Sequence, residues 1–118
     1  MQNIFGGECM ATSTKPVIRF SHNWNNKLSQ KYFTTIRKYT ESKYDYYFSH
    51  LREVFDVLIE GKKICEAELI DIDVMDFNKI PEALLIVDTG SENYEKIFWD
   101  FGIWGKCEVM ILTFKRVI

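Results

Sequence analysis

Hydrophobic and polar positions alternate in short runs along this chain, and the period changes several times. After Pro16, the run VIRFS at 17–21 reads as a short first strand. Ser21 offers a capping acceptor for a helix over residues 22–29, where Trp24 and Leu28 stand four apart on one face. In KLSQKYFTTIRK, residues 27–38, Phe33 to Ile36 are aromatic or β-branched and favour strand. Strand alternation puts Phe33, Thr35 and Arg37 on one side and Thr34, Ile36 and Lys38 on the other. Residues 39–52 show no clean period, and Thr40, Glu41 and Ser42 suggest a turn, so a loop with a short ordered piece is expected. A hairpin about Gly61 follows, over 53–60 and 63–75. Phe55, Val57 and Ile59 alternate in its first strand. In its second strand the apolar parity switches from Cys65, Ala67 and Leu69 to Ile70, Ile72 and Val74, which predicts a β-bulge at Leu69–Ile70. Pro81 fits the first turn of a helix in which Ile80, Leu84 and Val87 fall at helical spacing and which stops near Thr89–Gly90. Ser91 fits the cap of a second helix with Tyr94, Ile97, Phe98 and Phe101 on one face, ended by Gly102. Residues 107–116 are apolar on both parities, as a central strand covered on both faces would be.

Few strands with segregated helices describe an α+β class: a partly closed β-barrel with a short N-terminal helix and two helices before the last strand. The 118 residues suit one domain, expected over 16–118, with 1–15 as a flexible leader and Met10 a candidate start. At 47% hydrophobic and 15% aromatic, the chain has ample material for one core. A formal net charge of −2 argues against broad adhesion to nucleic acid but leaves room for a local basic pocket. The cations gather over residues 15–43, while carboxylates dominate 53–100. Cys9, Cys65 and Cys107 match no zinc or redox spacing. An odd cysteine count without a signal peptide points to a reducing cytoplasm. No apolar run reaches the length of a membrane span.

Candidate chemistry centres on residues 31–37. A cation beside a threonine hydroxyl favours its alkoxide, or holds a phosphate or carboxylate next to it. Thr35 and Arg37 are strand neighbours, and Lys31 stands just before them. The same pattern also fits half-exposed strand positions with no chemistry. Asn23, Asn25 and Asn26 around Trp24 are able to hydrogen-bond a base edge while the indole stacks on it, with Arg19 nearby; burial in a core is the plainer role for Trp24. His22 and His50 lack acidic or cysteine partners at ligand spacing, so no metal and no cofactor are expected.

The order of elements, with "KYFTTIRK", "VFDVLIEGKKICEAELIDID", "LIVDTGSENYEKIFWDFG" and "CEVMILTFKR", resembles the ASCH domain family of the PUA-like superfamily over residues 17–117. The family pattern runs Gly-x-Lys-x-x-Thr-x-Arg. Thr35-Ile36-Arg37 matches its end, and Lys31 keeps the lysine spacing when Thr34 is the matched threonine. The resemblance implies a small PUA-like barrel that binds RNA or a modified nucleoside; Arg37, from its pattern, joins Arg19, Asn23 and Trp24, read from the residues themselves, as expected ligand-binding positions. Some small bacterial members look like amidohydrolases on acetylated cytidine. Their pattern would make Lys31 the base, Thr34 or Thr35 the nucleophile and Asp88 the proton donor. A protein-interaction domain without a small ligand is a third reading, which the acidic composition and aromatic content permit.

Overall fold

The computed structural model describes residues 15–117, and for Trp24 and Asn25 the backbone alone. The expected leader thus lies almost wholly outside the described residues. Strand β1 (Val17–Phe20) leads into a 3₁₀ helix (Trp24–Ser29), then β2 (Tyr32–Lys38) and helix α1 (Glu41–Ser49). The hairpin is β3 (Val54–Ile59) and β4 (Lys62–Asp76). A 3₁₀ turn (Phe77–Lys79), α2 (Glu82–Thr89), α3 (Tyr94–Asp100) and β5 (Glu108–Val117) complete the described residues. The strands form one sheet in the order β1-β3-β4-β5-β2. Among the described residues only the β1–β3 pair is parallel. The result is an α+β half-barrel whose two edge strands, β1 and β2, flank its open side.

Strand β5 owes its two-sided apolar pattern to its central place. Met110, Leu112 and Phe114 join a core with Phe33, Phe55 and Leu69. Val109 and Ile111 point the other way, into a second core under α2 and α3 with Leu85 and Phe98. The bulge falls where the parity switch put it: Leu69 pairs with Phe114 and Asp71 with Thr113, leaving Ile70 as the extra residue. The extra residue is what lets Ala67 and Leu69 before it, and Ile72 and Val74 after it, pack on the same core.

Three local expectations change. Residues 41–49 form a helix instead of a loop, because Thr40 accepts a hydrogen bond from the Lys43 amide at 3.2 Å and caps it. Tyr47, buried in that helix, stacks on Phe55 at 6.0 Å, so one inward tyrosine holds a helix that has no sustained apolar stripe. The segment over 22–29 starts at Trp24 as a 3₁₀ helix, and Asn23 instead of Ser21 organises its start, accepting from the Leu28 amide at 3.0 Å. Helix α2 keeps Leu84 against the second core, as Ile80 is before it, but departs from its expected spacing at Val87. Leu85, Asp88 and Thr89 are buried while Val87 is exposed, because a buried ion pair holds Asp88 inward. Gly90 closes α2 in the left-handed conformation, φ 72°, as a C-terminal glycine does.

Candidate functional site

The open side of the half-barrel is spanned by side chains. Arg37 on β2 donates from Nη2 to the Arg19 carbonyl on β1 at 2.7 Å, and from Nε to Thr35 Oγ1 at 3.2 Å. Its guanidinium lies 4.8 Å from the centre of the Phe20 ring. Burial pushes the Arg37 guanidinium below its ordinary range. Above this bridge lies a cleft of about 200 Å³. Arg19, Lys27, Arg37, Lys38 and Lys43 line it with a single carboxylate, Asp88, and Phe98 and Phe101 form an aromatic wall. Five cations therefore converge in a chain whose overall charge is slightly negative.

The carboxylate is already matched. Asp88 stands in the last turn of α2, against the negative end of the helix dipole, and it is 5% exposed. A carboxylate so placed needs a compensating cation, which Lys27 supplies from the 3₁₀ helix: its Nζ donates to Asp88 Oδ1 at 3.0 Å. The same oxygen accepts from Thr34 Oγ1 at 3.1 Å. Burial pushes the Lys27 ammonium below its usual value and Arg37 adds to this, while Asp88 pulls it back up. Alternation along β2 separates the threonines: Thr35 opens on the cationic cleft, and Thr34 on a neighbouring cavity of about 420 Å³. The Lys27–Asp88 pair borders both.

Of the residues singled out from the sequence, Arg19, Thr35, Arg37 and Asp88 meet in the cleft, and Thr34 reaches Asp88 from the other side. Lys31 is exposed, with its ammonium 5.6 Å from the centre of the Tyr32 ring, and lines neither cavity. Asn23 is turned to its own helix, where Nδ2 donates to Asn26 Oδ1 at 3.0 Å. The Trp24 side chain lies outside the described residues. The lysine that meets the acid, on the oxygen Thr34 also reaches, is Lys27. Its signal in the sequence is position: with Trp24 and Leu28 it falls at three- and four-residue spacing on the apolar face of the short helix. Among the described residues no group of three or more metal-ligating side chains forms, and no helix is long and apolar enough to cross a membrane.

No protein-family model matches the chain, and no curated protein does. Solved structures do. Protein EF3133 from Enterococcus faecalis, described under the family model DUF984, is similar at TM-score 0.62 and 10% identity, over 90% of this chain and 82% of that one. An ASCH domain from Lactobacillus crispatus is similar at TM-score 0.46 and 14% identity, over 76% and 67% of the two chains. The likeness to EF3133 is one of fold over most of both chains. At these identities the likeness concerns the fold alone.

Proposed function

We propose that the protein binds a phosphate-bearing nucleotide, free or within RNA, in the cleft between β1 and β2. The observation that carries this is the convergence of Arg19, Lys27, Arg37, Lys38 and Lys43 on a cavity whose only carboxylate is already paired. A surplus of fixed cations attracts an anion, and a guanidinium is suited to holding a phosphate. Phe98 and Phe101 supply an apolar wall against which a base can lie. Titration calorimetry with cytidine 5′-monophosphate and with cytidine tests it. The monophosphate should bind at least about tenfold tighter, and Lys43→Ala, which changes an exposed rim residue, should weaken it severalfold. Equal affinity for the two ligands, or none for either, would sink the reading.

A second reading rests on the hydrogen bonds that Lys27 and Thr34 make to one oxygen of Asp88. It is amide hydrolysis on a modified nucleoside such as acetylated cytidine. Thr34 Oγ would attack the acyl carbon as its proton passes to Asp88. The C–N bond would then break, the amine leaving with a proton from Lys27, and water would release the acyl group from the threonine. Lys27 here replaces Lys31 as the lysine beside the acid, with the roles exchanged: Asp88 takes the threonine's proton and Lys27 gives one to the amine. Release of cytidine from its acetylated form, abolished in Asp88→Asn with the fold intact by circular dichroism, is the expected result. No release by the unaltered protein would leave binding alone.

A further inference from the structure

Three exposed aromatic residues lie close together in sequence where α3 ends. Trp99, Phe101 and Trp104 are 59%, 54% and 51% exposed, and the two indoles lie 4.5 Å apart at an interplanar angle of 32°. The segment that carries them is firmly held. The Gly102 amide donates to the Trp99 carbonyl at 2.9 Å, Ile103 to Phe98 at 2.9 Å and Cys107 to Trp104 at 3.1 Å. From the opposite side, Phe77 donates to Cys107 at 2.8 Å and Asn78 to Gly105 at 2.9 Å. Phe98 and Ile103, both buried, anchor it from below. The backbone that presents the rings is thus held in place, which lowers the cost of ordering it on binding.

The segment that carries these rings borders the cationic cleft. Phe101 belongs to the cleft wall, and the Lys38 ammonium lies 3.9 Å from where a Cβ on Gly102 would stand. Asp100, the nearest acidic neighbour in sequence, is paired with Lys96 at 3.7 Å. Cations on one side and aromatic faces on the other reproduce the alternation of phosphate and base along a single strand. An apolar protein partner would account for the rings but not for the cations beside them.

Building on the cleft reading above, we infer that the ligand is a single strand of nucleic acid longer than one nucleotide. One phosphate lies among the cleft cations, and the base of a neighbouring nucleotide stacks on the Trp99–Trp104 face. The test compares uridine 5′-monophosphate with an oligouridylate of about eight nucleotides, a length within the usual span of such sites. Binding is read by fluorescence anisotropy and competition, for the unaltered protein, Trp99→Ala, Trp104→Ala and Lys43→Ala. The oligonucleotide should bind at least about tenfold tighter than the monophosphate. Each tryptophan variant should lose most of that advantage while binding the monophosphate normally, and Lys43→Ala should weaken both ligands. Equal affinities with silent tryptophan variants would overturn the platform and leave the cleft reading standing. Binding of neither ligand would overturn both. Intact oligonucleotide binding with altered sedimentation in the tryptophan variants would make this face a contact between copies of the chain, and the inference would fall.

Discussion

Lys27 and Asp88 are the residues on which the site depends most. Each charge is tolerated out of water because the other is 3.0 Å away. Removing one partner strands the other: Asp88→Ala should cost about 3–5 kcal/mol in urea denaturation. The double variant Lys27→Met/Asp88→Leu should recover much of that loss, since matched apolar replacement of a buried pair is often neutral. A double variant no more stable than Asp88→Ala would show that the charges themselves are needed. The lysine also carries a pH signature. Its folded-state value is depressed below the ordinary 10.5 by burial, so the unfolded chain binds more protons in the window between the two values. Across that window stability should rise with pH toward 10.5, relative to the same curve for Lys27→Met. A flat difference between the two curves would refute the depression.

At the scale of elements, two helices show what decides a face and a boundary. Helix α1 begins at Thr40 because a hydroxyl there satisfies a free amide, so Thr40→Ala should cost about 1 kcal/mol. A stability unchanged by that substitution would leave Tyr47 packing as the whole reason for the helix. Helix α2 turns Leu85 inward and Val87 outward. Leu85→Ala should therefore cost about 2–5 kcal/mol and Val87→Ala about 0.5 kcal/mol or less, measured by thermal or urea denaturation. Comparable costs would mean that the helix sits on the face its apolar spacing alone predicts. The spacing through Ile80, Leu84 and Val87 held for the first two and failed at Val87 because it counted only apolar residues, whereas the buried face includes Asp88 and Thr89.

At the scale of the molecule, the sheet's two edges come together at the site. Arg37 ties β2 to β1 through the Arg19 carbonyl, so one side chain both helps to close the half-barrel and faces the cleft. The cations there belong to β1, the 3₁₀ helix, β2 and α1, and only closure collects them. If they hold phosphates, the affinity for the oligonucleotide should fall linearly with salt on logarithmic axes, by about 0.7 per phosphate neutralised. Lys38→Ala and Lys43→Ala should each flatten the slope. A slope near zero would show that the cations do not face the ligand's backbone.

The local pattern of the chain was sufficient for the strands, the bulge at Ile70, the glycine stop of α2 and the central place of β5. Each of these follows from alternation, parity or backbone freedom within a few residues. Thr34, Thr35, Arg37 and Asp88 were legible as candidates because their types carry chemistry and a family pattern framed them. What the sequence alone did not decide was which lysine meets the acid. Lys31 stands nearer the threonines along the chain, yet the partner is Lys27, because the 3₁₀ helix packs beside α2 and burial makes an unmatched Asp88 too costly. Distance along the chain does not measure distance across a cleft, and the pairing of buried charges is settled only when the tertiary fold removes the water between them.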